Sequence, residues 1–272
     1  MIVNLKKEKE KIDTSGFSYT ASSSSIHQRR NFFPSCVDNF FDKPDLIREF
    51  ALSLDMKPSE DGSWPGLRSK SLHEIDNELH QNIFLKILSV YYDLKYADIS
   101  WGSGRAFFQS IPKYKGSDSI NKGWIHMDNS DELAGLVYLT PNANPDSGTS
   151  LFKLKDEFKE TYVPFARSPD KHTFYTDRKI TDKDYIKSLE KHNNQFVETV
   201  RFQNLYNRLI TYDANELHKA NSFECDQSRL TLVFFIRDIK NDNIKRSPLN
   251  RVQDKFNFDS QFEKQINNYK GE

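Results

Sequence analysis

Cysteine is scarce in this chain: two residues among 272, Cys36 and Cys225. Two thiols build neither a disulfide framework nor a cysteine-based metal site, so a reducing compartment is the default expectation. Net charge is missing too. The 39 Lys and Arg balance the 39 Asp and Glu, which argues against a strongly basic nucleic-acid binder and against an acidic tail protein. Long hydrophobic runs are absent as well. Stretches such as Leu230–Ile236 are far too short to span a bilayer. Met1–Lys11 is charged and lacks an apolar h-region, so no secretory leader is expected and the protein is read as cytoplasmic. No internal repeat is apparent.

What is present is enough to fold. Hydrophobic residues make up 36 % of the chain and aromatics 13 %, with 21 Phe and 12 Tyr, so a wholly disordered polymer is excluded. Residues 1–30 alternate Lys and Glu and then read TASSSS at Thr20–Ser25, which predicts a mobile N-terminal arm. A single domain is expected over 31–239, with a helical part at 31–96 and a β core at 97–239. A polar C-terminal tail follows at 240–272, where Phe256, Phe258, Phe262 and Ile266 offer docking side chains.

Two helices are legible. Asp42, Pro44 and Asp45 mark a start, and Leu46, Ile47, Phe50, Ala51 and Leu54 follow at helical spacing until Pro58. A second is expected from Leu72 to Leu94, with Ile75, Leu79, Ile83, Ile87 and Tyr91 on one stripe. After Tyr96 the texture turns to short β-branched and aromatic runs: ISWGSGRAFFQSI, GWIHMD, LAGLVYLT, GTSLF, LYNRLITYDA and RLTLVFFI. Turns are marked at PNANPDS and at Asp213–Glu216. This predicts a mainly β fold with flanking helices, a sandwich or barrel in which 153–204 is an insertion over one mouth.

His126 and Asp128 stand two apart where a strand ends, so imidazole and carboxylate face the same way. Taken alone the match is weak. His218 then follows the strand Leu209–Tyr212 and the turn Asp213–Glu216, and Arg229 opens the strongly apolar strand Arg229–Phe235. Arg229, Thr231 and Val233 share one face of it. An inward Arg there needs an anionic partner. Two His and one carboxylate make the facial triad suited to non-haem iron(II), leaving positions open for a chelating oxo-acid and dioxygen. The Arg229 guanidinium supplies a bidentate cation for the oxo-acid's far carboxylate, and the Thr231 hydroxyl adds a donor.

The stretch Ser100–Ile236 resembles the iron(II)/2-oxoglutarate-dependent dioxygenase superfamily, most of all its prolyl-hydroxylase-like branch of small bacterial and viral oxygenases. HMD (126–128), VYLTP (137–141), SGTSLF (147–152), NRLITYDANELHKA (207–220) and RLTLVFF (229–235) carry the resemblance. FFPSCVDNFFDKPDLIREFA and SWPGLRS are similar to the N-terminal part of a bacterial and phage subgroup. The resemblance implies a double-stranded β-helix core, jelly-roll or cupin-like. It implies His126, Asp128 and His218 as Fe(II) ligands, and Arg229 with Thr231 on the 2-oxoglutarate C5 carboxylate. Tyr138 is near a position that often touches this cosubstrate. The implied activity is hydroxylation of an unactivated C–H of an amino acid, peptidyl residue or small metabolite, using O2 and releasing succinate and CO2. Ser147-Gly148 departs from the two Gly frequent in relatives.

Blander readings stand beside these. His126 with Asp128 could be a surface pair, His218 a turn-capping residue, and Arg229 an edge-strand Arg paired with Glu224 or Asp226. His73, His80, His172 and His192 are expected to face solvent. Arg105, Phe107 and Gln109 share a strand face that could line the mouth. Phe165, Arg167, Lys171, Phe174, Tyr175 and Arg178 could close over substrate. The alternatives to an oxygenase are a non-catalytic β-helix binding, virion or sensor module that retains the metal site, and a cupin-like isomerase or hydrolase. Membrane partners are not expected, and nucleic acid is disfavoured without a basic stripe.

Overall fold

The computed structural model describes residues 32–94, 98–128, 131–162, 169–176, 179–224 and 227–242. The expected arm 1–30 lies outside the described residues, as does the tail beyond Asp242, together with Phe165, Arg167, Arg178 and Cys225. In chain order the elements are β1 (Ser35–Val37), α1 (Pro44–Ser53), β2 (Met56–Pro58), β3 (Leu67–Ser69), α2 (Leu72–Ile75), α3 (Asn77–Leu88), β4 (Asp98–Ser100), β5 (Ser103–Ile111), β6 (Leu133–Tyr138), β7 (Thr149–Leu154), α4 (Pro169–Thr176), α5 (Asp182–Asn193), β8 (Phe196–Phe202), β9 (Leu209–Asp213), β10 (Leu217–Ala220), β11 (Arg229–Arg237) and β12 (Lys240–Asp242). None of the helices among them is long and apolar enough to cross a membrane.

The larger sheet runs β1-β9-β6-β11-β5-β3-β2 and the smaller one β10-β7-β8, every pair antiparallel. The segment 123–126 extends the smaller sheet beside β10. Gly123 N–H donates to Ala220 O at 3.0 Å, and His126 and His218 exchange backbone hydrogen bonds at 3.0 and 2.9 Å. Along the chain β5, β6, β9 and β11 fall in one sheet, while 123–126, β7, β8 and β10 fall in the other. Strands that cross from sheet to sheet in this order make a double-stranded β-helix.

Period-two alternation on β11 explains the layering. Leu230, Leu232, Phe234 and Ile236 face outward into the largest core, with Ile47 and Phe50 of α1 and Ile83, Phe84 and Ile87 of α3. Arg229, Thr231, Val233 and Phe235 therefore face the interior between the sheets. Val233 packs there with Leu136, Leu151, Phe202, Ile210 and Tyr212.

The helix expected over Leu72–Leu94 is two shorter ones. Ser71 and Glu74 form a capping box for α2. Asp76 is extended at φ −154°, ψ 102°, and its carboxylate accepts from Leu79 N–H as the cap of α3. A local cap there competes with helix continuation. The excursion joins two strands of the smaller sheet and is shorter than the expected 153–204. β7 continues through Leu154, and β8 pairs with it from Phe196 to Phe202. Between them α4 and α5 pack on the body through Phe174, whose ring stacks on Tyr185 at 3.7 Å between centroids, with Trp124 and Leu189 alongside.

Candidate metal centre and anion pocket

His126 and Asp128 leave the smaller sheet's edge, and His218 lies on β10 directly opposite His126. One ligating atom from each of the three side chains falls within 4.8 Å of the others. His218 Nε2 is 3.3 Å from Asp128 Oδ2, His126 Nε2 is 3.9 Å from Oδ1, and the imidazole centroids are 4.4 Å apart. The tautomers follow from the partners. His126 Nδ1 is 2.9 Å from Trp124 O and His218 Nδ1 is 2.8 Å from Glu216 O. A carbonyl only accepts, so each Nδ1 carries a hydrogen, and Nε2, facing the shared point, is the atom of each ring left to offer a lone pair to a cation.

Second contacts fix the strand that bears His126. At the end of α5, Asn193 Oδ1 accepts from Ile125 N–H at 3.1 Å, and its amide donates to Gly123 O at 3.0 Å. His192 Nε2 donates to Ile125 O at 2.7 Å. These bonds occupy backbone groups of a sheet edge. His172 also bonds backbone, its Nδ1 donating to Asp61 O at 2.6 Å. Both rings are half-buried where sequence predicted exposure. His80 is buried outright, 3 % exposed, with Nε2 bonded to Gly104 O at 3.2 Å and its ring 4.2 Å from Phe84. His73 is exposed as expected.

The three residues border a cavity of about 1300 Å³. Of the His126 side chain 43 % is accessible, but its surface opens into that cavity. Burial, His218 and Lys171 together push the His126 pKa down. For Asp128 burial acts upward, yet His218 and His126 outweigh it and the carboxyl stays well below its usual range. For His218 burial acts downward, but Asp128 outweighs it and the imidazole is raised. The donor set is thus a carboxylate and two imidazoles with inward lone pairs, the set a hard-to-borderline divalent cation takes. Ferrous iron fits it.

Arg229 also borders the cavity and is 3 % exposed. Its Nε donates to Ser147 O at 3.1 Å, its Nη2 reaches Thr149 Oγ1 at 3.4 Å, and the guanidinium sits 5.3 Å from the Tyr138 ring centroid. It has no carboxylate partner among the described residues, so the edge-strand pairing with Glu224 does not occur; Glu224 pairs with Lys113 instead. Asp226 lies outside the described residues. Tyr138 is fully buried, its hydroxyl donating to Thr149 Oγ1 at 2.9 Å. Thr231 Oγ1 is buried with no hydrogen-bond partner among the described residues.

The Ser147-Gly148 departure has a structural consequence. A Cβ at Gly148 would lie 1.9 Å from Phe202 O, so no larger residue fits there without movement. Ser147 Oγ donates to Asn144 O at 2.6 Å and accepts from Asn204 Nδ2 at 2.9 Å. Those bonds fix the Ser147 carbonyl that receives Arg229. Thr149, Ser147 and Asn193 were not legible as site residues, since each acts through backbone or through a neighbour. Arg105, Phe107 and Gln109 all border the cavity, as their shared strand face predicts. Lys171 and Tyr175 border it from α4, while Phe174 packs in the core beneath.

The chain is similar to several solved structures, at low identity. A Pseudomonas putida prolyl-4-hydroxylase shares 13 % identity, with 76 % of this chain and 93 % of that one covered at a TM-score of 0.38. A prolyl hydroxylase from Trichoplax adhaerens, in complex with a hypoxia inducible factor peptide fragment, shares 12 % over 87 % and 94 %, at 0.45. HygX from Streptomyces hygroscopicus, with nickel and 2-oxoglutarate bound, shares 11 % over 75 % and 82 %, at 0.41. No curated protein matches the chain. One family model covers residues 23–236, and by that match the chain belongs to DUF6445, a family of unknown function.

Proposed function

We propose that this protein is an iron(II)- and 2-oxoglutarate-dependent dioxygenase that hydroxylates a C–H bond of an amino acid, a peptidyl residue or a small metabolite. One observation carries the reading. Ligating atoms of His126, Asp128 and His218 converge within 4.8 Å in a cavity that also receives the buried Arg229, which has no carboxylate partner among the described residues. A cation site and an anion site in one pocket are what a chelating keto-diacid requires.

The role of each residue follows from its surroundings. His126 and His218 offer Nε2 lone pairs, held in that tautomer by Trp124 O and Glu216 O. Asp128 supplies the negative charge of the ligand set. Arg229 binds the far carboxylate of 2-oxoglutarate, and Thr231 donates to the same group its hydroxyl, which has no hydrogen-bond partner among the described residues. Tyr138 supports Arg229 from below through its ring and fixes Thr149 through its hydroxyl. Leu136 and Val233 give the cavity apolar wall between the two ends, which keeps bulk water from the reacting centre. When bound, ferrous iron supplies the redox chemistry, the net reaction consuming 2-oxoglutarate and O2 and giving succinate, CO2 and a hydroxylated substrate.

The test is turnover without substrate. Protein loaded with Fe(II) and given 2-oxoglutarate in air should release succinate and CO2 slowly, one for one. His126→Ala should abolish that release. Equal release by the variant, or activity with zinc alone, would sink the reading.

A further inference from the structure

We infer that Arg68 forms a second anion site in the cavity, separate from Arg229, and that the substrate of this site carries a carboxylate which Arg68 holds. The inference rests on the dioxygenase reading and names the class of molecule it acts on.

Its position comes first. Across the larger sheet Tyr138, Thr231, Gln109 and Arg68 are aligned on one rung, because Thr231 faces both Tyr138 and Gln109, and Gln109 faces Arg68. Directly paired residues of antiparallel strands point to the same side, so all four turn inward. Arg68 is two strands away from Thr231 and therefore about 10 Å from it along the rung. Its guanidinium is held at Gln109, Trp64 and Phe107, whereas that of Arg229 is held at Ser147 and Thr149, so the two cations occupy different parts of the same cavity.

The guanidinium is also built in. It lies 4.6 Å over the Trp64 ring and 5.7 Å from the Phe107 ring. Its Nη2 donates to Gln109 Oε1 at 3.1 Å, while Gln109 Nε2 donates to Pro65 O at 2.8 Å. Those two bonds fix the Gln109 amide with its oxygen toward Arg68. Gln109 is itself 5 % exposed. A neutral amide orients the cation without neutralising it.

The charge has no carboxylate partner among the described residues. Arg68 Nε is buried with no hydrogen bond among the described residues. Of the other acidic residues along the cavity, Asp131 pairs with Arg105 at 2.7 Å, Asp61 accepts from Ser59 and Ser63, and Asp55 lies 3.9 Å from Lys57. Neither these nor Glu60 form an ion pair with Arg68 among the described residues. The carboxylate that acts most strongly on Arg68 is that of Asp128, which belongs to the ligand set. Burial lowers the Arg68 pKa to about 10, so it remains a cation at neutral pH. Lys171 adds positive charge on the same cavity. A planar cation between aromatic rings, held by an amide and with no carboxylate in ion-pair contact among the described residues, suits one carboxylate attached to an apolar body.

The probes are 4-fluorobenzoate and neutral 4-fluorobenzamide, followed by fluorine NMR. Each is titrated into full-length protein carrying zinc(II) and 2-oxoglutarate, and into protein with neither. Wild type should bind the benzoate at least about tenfold more tightly than the benzamide. Arg68→Met should erase that preference while leaving 2-oxoglutarate affinity within about twofold. Arg68→Lys, which keeps the charge and guards against a misfolded Met variant, should retain a preference reduced by about threefold or more. Equal binding of the two probes by wild type, or an undiminished preference in both variants, overturns the inference. Loss of 2-oxoglutarate binding by wild type would instead strike the dioxygenase reading, and an Arg68-dependent preference in the unloaded protein would survive it.

Discussion

Replacing Arg229 with Met removes one buried cation and keeps most of its volume. The substitution deletes a hydrogen bond to Ser147 O at 3.1 Å and a long one to Thr149 Oγ1 at 3.4 Å. Each is worth ~1 kcal/mol, and their removal is offset by no longer burying a charge without a carboxylate. Unfolding free energy should therefore change by less than about 2 kcal/mol, in either direction. Binding of 2-oxoglutarate should suffer far more. Two charge-assisted hydrogen bonds to its carboxylate, at ~1.5–3 kcal/mol each, give at least about 3 kcal/mol, or roughly a hundredfold in Kd. Anaerobic isothermal titration of 2-oxoglutarate into manganese(II)-loaded protein measures the second quantity, and urea denaturation the first. The reasoning fails if Arg229→Met binds 2-oxoglutarate within threefold of wild type, or if it unfolds outright. The latter result would make Arg229 a structural residue.

Three other expectations follow from the packing and the site. Asn193→Leu should weaken cobalt(II) binding by roughly tenfold, read from the visible absorption of the loaded protein, because it frees the backbone of the strand bearing His126. Gly104→Ala should cost about 1–3 kcal/mol in urea, since a Cβ there would lie 1.8 Å from the Phe84 ring; an unchanged midpoint would show that α3 does not seat on β5 as described. His80 provides a pH dependence. Burial lowers its pKa from 6.5 to about 4, so the unfolded chain takes up the proton first as pH falls. Its contribution is whole above pH 6.5 and lost progressively toward pH 4, by about 2 kcal/mol between pH 7 and pH 5. His80→Gln should flatten that part of the stability profile, and an unaltered slope would contradict it.

The β-helix was legible where runs of strong β-formers are bounded by turn residues, as in β5, β6, β9 and β11. β6 and β9 are buried on both faces and β11 nearly so, so the runs mark strands by composition, and on β11 it is the polar Arg229 and Thr231 among apolar neighbours that mark the inward face. β8 was not, because as the edge of the smaller sheet it buries only Phe196 and Phe202 fully and its sequence FVETVRF reads as a charged excursion. β1, β2 and β3 are three residues each, too short for any period to register. His126, Asp128, His218, Arg229 and Thr231 were singled out from a spacing pattern on strand ends, and the structure brings the first three within 4.8 Å of one another with Arg229 on the same cavity. Arg68 was not singled out: only the pairing of β3 with β5 turns it inward, and sequence separates it from its partner Gln109 by a helical segment. His80 was misjudged because an imidazole on an otherwise apolar stripe carries no mark of its single backbone partner.

The central claim is that three distant side chains hold one ferrous ion with room left for 2-oxoglutarate. Anaerobic addition of Fe(II) and then 2-oxoglutarate, followed by visible absorption, tests it directly. Wild type should develop the weak metal-to-ligand charge-transfer band of a chelated keto-acid at one iron per chain, and His126→Ala and His218→Ala should not. The same band at the same iron stoichiometry in either variant would contradict the account.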